Sequence, residues 1–435
     1  MTRIIGLAVA VLAVVVATTQ PAPVPPVPTV EMTTGAEAPT GRASHFAHCP
    51  WSRSDSLRSS AYSVLGEGPA GFVLSFLEGG SVEDRLSGRT DADTAARVEN
   101  PRPVGASSAM VEFSGNAGSV GVVTTGEGLL AGDLCSGRIP DSWHLPGGST
   151  LEGESLVLRL FNPFTADARV DLWAFSELGI EAGEALEGLT VPAQRTRVVA
   201  LEELLPGRES LSVIVRPVAG SVIPAMVLDT GTDVAVWPGS GAGDGWEFPV
   251  AGAVGFRSDL VITNEASIPV NFLIEAFDES GAQLPSQAGR IEGPGQARVS
   301  LDGLSSSGFG VRVTGDGPFG AVIVARSEAG VAATVGARTT ATGWLAPGPG
   351  VVGSGSRLRL LNAGVTELTA TYRTLTPEGR TRANVIGIPP NSVRTVHIAA
   401  PEVAGVRVTA DGPLTVGWLA TVSGRAMFSG AIPSG

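Results

Sequence analysis

Chemistry in this chain would have to come from few residues. Its 435 residues include four histidines and two cysteines, and all of these except His397 fall in one loose cluster. The cluster comprises the run His45-Phe46-Ala47-His48-Cys49, then Cys135 and His144. Two thiolates with two or three imidazoles make a plausible tetrahedral metal set. The spacing matches no known zinc finger, however, and in an oxidising compartment the same cysteines bond each other. A Cys49–Cys135 disulfide, with His45, His48 and His144 incidental, is therefore expected, and a metal held by those histidines is the alternative. Closing that 86-residue loop contributes roughly 4–5 kcal/mol by loop-closure entropy.

Other chemistries find less support. Gly-x-Ser-x-Gly does not occur, so a nucleophile elbow has no candidate serine. His397 stands alone on a C-terminal strand and reads as a surface or edge residue. All 29 basic residues are arginine, which removes Schiff-base and phosphate-loop lysines. Gly-x-Gly-x-x-Gly begins at Gly66, Gly315 and Gly348, but none lies between a strand and a helix as a dinucleotide site requires, and all three read as turns. The adjacent acids Glu202-Glu203 and Asp278-Glu279 point apart. Asp229 and Asp233 flank Thr230-Gly231-Thr232, a possible calcium loop better read as a hairpin turn. No catalytic or cofactor-binding residue is assigned, no cofactor is expected, and the chain is expected not to be an enzyme.

The elements that would position any site are short alternating strands. An eight-residue phrase recurs at Val311 to Pro318 and Val406 to Pro413, 95 residues apart. Each copy reads as a late strand followed by a tight Asp-Gly-Pro turn. Degenerate copies begin near Val213 and Val111. Three Trp-x-x-Pro segments open at Trp143, Trp246 and Trp344, with spacings of 103 and 98 residues. Each is followed by a strand ending in Asn (Asn162, Asn264, Asn362), an alternating partner strand and a Pro-led loop. Then comes a strand with a central Arg: Arg197, Arg298 or Arg394. The three tryptophans are expected to cap a module edge or seal an interface, and Trp173 to lie in a core. Alternation puts one face of each strand in the core and the other in water. Residues 79–107 read as a long loop with a strand near Ala95 to Val98. Helix is confined to one turn near Leu201 to Leu205.

The expected fold is all-β, as tandem immunoglobulin-like β-sandwich modules, with a β-propeller built from paired blades as the alternative. The divisions are 1–20, signal peptide or N-terminal membrane anchor; 21–44, Pro-rich linker; 45–142, disulfide-bearing β domain; then modules at 143–245, 246–343 and 344–435. Arg3 and the apolar run Ile4 to Thr19 resemble a signal peptide, too short at about 24 Å to span a bilayer comfortably. The Pro21 to Pro28 stretch that follows suits a tethered stalk. The net charge of −13 is thinly spread and no basic stripe exists, so nucleic acid is not an expected partner.

The Asn-terminated strands, the Pro-Ala-Gln and Pro-Asn-Ser loops, the Trp-x-x-Pro starts and Cys49-Pro50-Trp51 together resemble an actinobacterial family of exported proteins of unknown function. The resemblance implies compartment and class, and no mechanism. The resulting expectation is a non-catalytic, extracytoplasmic scaffold or interaction protein of the cell envelope, either secreted or held at the cytoplasmic membrane by an uncleaved N-terminal segment. Its partner would be an envelope protein or a cell-wall glycan. A glycan-binding module array is the alternative, although only 5% of residues are aromatic; a hydrolase with a site between modules comes third.

Overall fold

The alternating runs form strands where their spacing places them, and the chain is nearly all β. The computed structural model describes residues 43–49, 59–78, 81–99, 108–126, 129–282, 284–304, 308–348, 355–379, 382–400 and 402–434. The expected leader, most of the linker, Pro50 and Trp51 lie outside these residues. The one helical turn near Leu201 is present as Leu201–Leu204.

Four β-sandwiches follow one another, over residues 43–134, 143–238, 243–335 and 341–433. In the first, one sheet runs Ala43–Cys49, Ser108–Gly115, Ala70–Glu78, Ser81–Thr90. The other runs Ala95–Glu99, Ser59–Gly66, Gly118–Thr125, Leu130–Leu134. The later sandwiches repeat this order with small additions at the edges. Ser81–Thr90 corrects the loop expected there. It is an edge strand paired with Ala70–Glu78, in which Arg85, Ser87 and Arg89 are exposed while Thr90 is buried.

The repeated phrase also differs from expectation. Val311 to Pro318 lies inside one long strand, Gly310–Arg326, and ends in no hairpin. Up to Gly315 this strand pairs with Val270–Phe277; from Gly320 it pairs with Arg257–Asn264 in the other sheet. The Asp-Gly-Pro is the place where the strand changes sheets. Asp316 there accepts the Asn271 N–H (2.8 Å) and Nδ2–H (2.7 Å), and Asp411 accepts the Thr369 N–H (2.8 Å). Each carboxylate thereby caps the start of a neighbouring strand. In the first two sandwiches the same path is broken, at Gly115 (φ 96°) and at Gly220 (φ 67°). The Gly315 to Gly320 match belongs to this switch and not to a turn.

The repeated Asn is a corner. The buried Asn162, Asn264 and Asn362 each accept an N–H two residues on and donate to a carbonyl four residues on. Such a side chain satisfies backbone groups that the end of a strand leaves bare.

The sandwiches close on themselves. The last strands of their second sheets are Leu130–Leu134, Val234–Pro238, Val331–Val335 and Arg425–Gly430, each an inner sheet edge. The first packs against the second and fourth, and the third packs against the same two, so the four surround an axis. The inner sheets are thus arranged radially, one per module, and all belong to the compact unit Thr40–Gly435. Cores run from one sandwich into the next: Val322, Val324, Val331 and Ala333 join the core of the sandwich before them. Ala225, Val227, Val234 and Val236 likewise join the first. The inner sheets are therefore buried on both faces, which corrects the expectation of a wet face. Such strands read as continuous apolar runs, as in the buried Ala321-Val322-Ile323-Val324-Ala325.

Candidate functional site

The site grows from the axis. Among the described residues each inner strand presents an edge with no strand partner, and a buried edge N–H must find an acceptor. Two aspartates supply it. Asp133 accepts the Gly430 N–H (3.2 Å) and faces the Thr334 hydroxyl across the axis (3.4 Å). Asp233 accepts the Val331 N–H (3.0 Å) and lies 3.8 Å from the Arg425 guanidinium. The strand registers place Asp133, Trp237, Thr334 and Ser429 at equivalent positions, opposite Val122, Met226, Ile323 and Trp418. Four residues before Trp237, Thr334 and Ser429 stand Asp233, Gly330 and Arg425, and they meet at a second level, where a Cβ on Gly330 would stand 2.7 Å from Asp233 Oδ2 and 3.2 Å from Arg425 Cα.

Both carboxyls are buried and titrate high. Burial pushes Asp133 up to about 7, against hydrogen bonds from Leu134, Gly430, Ser429 and Thr334 that act the other way. Burial raises Asp233 to about 6, opposed by the Val331 and Val234 N–H groups and by Arg425. A buried carboxyl with a displaced titration beside a cavity marks a candidate site.

Asp133 has such a cavity. All four sandwiches line a space of about 1310 Å³ at its end of the axis. Asp133, Thr334 and Ser429 contribute from the inner strands, and the connecting segments Ser136 to Asp141, Pro238 to Gly241 and Gly336 to Thr339 form much of the wall. His45, Glu67, Arg138, Asp141 and Arg338 supply its ionisable lining besides Asp133, a mixture of both signs.

The expected disulfide is formed between Cys49 and Cys135, whose Cα atoms are 4.6 Å apart. It ties the first strand to the residue immediately after Leu130–Leu134. The three histidines considered as metal ligands do not converge. His45 is exposed at the cavity. His48 is buried against Phe161 of the second sandwich, edge-on at 6.3 Å, and desolvation lowers it to about 4. His144 lies in the next interface, with Nδ1 2.8 Å from Thr263 Oγ1 and Nε2 3.3 Å from Glu265. No group of three or more His, Cys, Asp or Glu that could hold a metal ion is found among the described residues. His397 is exposed at the end of an edge strand. Asp229 and Asp233 flank a hairpin turn, closed by Thr230 N–H to Asp233 O and by Gly231 N–H to Asp229.

Around the ring, arginines on the late strands grip the following sandwich. Arg216 bonds Glu265 and lies over the Trp173 ring at 3.6 Å. Glu265 is held down to about 2, first by His144, then by Ser142 and Arg216. In this cluster Ser142 bonds the glutamate and not the histidine, so it is no hydrolytic triad. Arg312 donates to the Ala363 carbonyl (2.9 Å), and Arg407 reaches back to Gly66 (2.7 Å) and Ala92 (3.1 Å) in the first sandwich. Ser63 to Gly348 (2.9 Å) and the cluster Leu65, Ala95, Leu345, Leu375, Ala404 complete that closure.

The tryptophans depart from expectation. Trp143, Trp246 and Trp344 sit in the cores of their own sandwiches. Trp173 is half-buried on the outer face, because Leu172 and Ala174 take the inward positions on either side. Among the described residues, no aromatic is found with the exposed large hydrophobics. Sequence reasoning missed Asp133 and Arg425. The only local signal was a charge in an otherwise apolar inner strand, Leu130-Ala131-Gly132-Asp133-Leu134.

Fold and site together define a closed array of four β-sandwiches with a cavity at one end of its axis. The chain belongs to a family of unknown function (DUF5719), whose model matches residues 87–329. The match starts within the first sandwich and stops short of Val331–Val335, whereas ring closure uses residues on both sides of it. No curated protein matches the chain.

Proposed function

We propose that the chain is a non-catalytic, extracytoplasmic scaffold or interaction protein of an actinobacterial cell envelope. The observation that carries this reading is where the recurrent polar residues are used. Asn162, Asn264 and Asn362 form corners, Asp316 and Asp411 cap strands, and Arg216, Arg312 and Arg407 join neighbours. What repeats in this chain holds it together, as a rigid support requires. Among the described residues no cavity hydroxyl is hydrogen-bonded to a histidine, so a nucleophile–base pair has no candidate there. Export is supported by the apolar run Ile4 to Thr19 and by a disulfide of the kind an oxidising compartment maintains.

The test is cross-linking in intact cells, followed by protease accessibility and thiol alkylation. The expected result is an oxidised Cys49–Cys135 pair, an epitope protected by the cytoplasmic membrane from cytosolic protease, and one reproducible envelope neighbour. Recovery in the cytosol with both thiols free would overturn the reading.

A further inference from the structure

The cavity end of the axis has a feature that the opposite end lacks. Both ends bury an aspartate, Asp133 within the inner strand Leu130–Leu134 and Asp233 in the turn just before Val234–Pro238, and each faces a residue across the axis. At the far end the facing residue is Arg425, whose Nε is 3.8 Å from Asp233 and whose Nη2 also bonds the Thr232 carbonyl (2.9 Å). At the cavity end the facing residue is Thr334, and the partners of Asp133 are the Leu134 and Gly430 N–H groups and the Thr334 and Ser429 hydroxyls. All are neutral. A buried carboxylate without a countercharge is costly unless a cation reaches it. On this side the space beyond it is a large cavity, not a packed side chain.

We propose that the axial cavity is a binding site for a small or slender ligand bearing a primary ammonium or guanidinium group, which docks on Asp133 as Arg425 docks on Asp233. The chemistry follows from the floor. Two hydroxyls and two N–H groups already orient the carboxylate, so an incoming cation completes a charge-assisted hydrogen bond without rearranging it. The wall of Pro238, Gly239, Gly336, Ala337, Gly430 and Ala431 is small and uncharged, which leaves room for a chain behind the cationic head. The mixed charges of the lining do not select one sign, so Asp133 is the discriminating group. This site is independent of the envelope reading, which survives if the site fails.

The probe pair is n-butylamine against n-butanol, matched in size and differing in charge, titrated into the full chain at pH 8 by calorimetry and by chemical-shift change of ring residues. Wild type is expected to bind the amine at least tenfold more tightly than the alcohol. Asp133→Asn should remove that preference, while Arg138→Ala, at the cavity but not among the residues bonded to Asp133, should retain it. The wild-type preference should also fall as the pH is lowered from 8 to 5.5, a measurement that stands even if Asp133→Asn does not fold. Equal binding of the two probes, no binding of either at tens of millimolar, or a preference unchanged in Asp133→Asn would each overturn the proposal.

Discussion

At one end of the axis Asp233 meets Arg425 with Gly330 wedged between them; at the other, Asp133 meets Thr334 and Ser429 beside open space. Both aspartates solve the same backbone problem, an inner strand edge with no partner strand. They differ in what neutralises the charge. The closed end uses a residue of the chain, Arg425, so it acts as a clasp. Among the described residues Asp133 at the cavity end is met by neutral hydrogen-bond donors, and the disulfide lies nearby. A motif-level reading would treat the two acids alike; only the cationic partner separates a structural pair from a candidate site.

The largest effect is expected from removing the staple at the cavity end. The double variant Cys49→Ala/Cys135→Ala should lose roughly 4–5 kcal/mol in denaturant unfolding, from the entropy of an unclosed loop. A loss under about 1 kcal/mol would mean that the ring holds this end without it.

Next is Arg425→Ala, which turns the clasp into an uncompensated buried acid and should cost about 3 kcal/mol. Adding Asp233→Asn in that background should restore part of the loss, because the orphaned charge is gone. If the double variant is no better than the single, Arg425 acts through packing and its bonds to the Ala329 and Thr232 carbonyls.

Asp133→Asn should behave in the opposite way. Its folded-state titration is raised to about 7, so the folded chain holds a proton that the unfolded chain, with an ordinary carboxyl, has released. The stability from this group is complete below about pH 4, declines as pH rises, and is lost above about 7. The asparagine variant should therefore be more stable than wild type at pH 8, by about 1–2 kcal/mol, and should flatten the slope between pH 4 and 7. Unfolding curves across that range check the sign.

The smallest effect concerns His48, whose folded-state titration is lowered to about 4 by burial. Its contribution is complete above about pH 6.5 and is eroded as pH falls toward 4. His48→Phe should remove that acid-side loss at a cost or gain of about 1 kcal/mol at pH 7. A variant with unchanged pH dependence would show that this interface opens to water.

The local elements were legible in the order of the residues. Alternation located most strands, the Trp-x-x-Pro and Asn spacings counted the repeats, and two cysteines in a chain of this kind left one pairing. Those features depend on residues a few positions apart, which set strand period, corners and turns. Tertiary structure decided the rest. Asp-Gly-Pro was legible as a break in a strand, but whether the chain reverses or changes sheets there depends on partners such as Val270–Phe277 and Arg257–Asn264. Trp173 could face either way until the neighbouring sandwich supplied Glu265 and Arg216 settled above the ring. Ring closure joins Ser63 to Gly348 and Arg407 to Gly66, contacts between surfaces that no local pattern links. Asp133 becomes a candidate site for the same reason: its partners lie on strands 201 and 297 residues away, and the cavity beside it is lined by all four sandwiches.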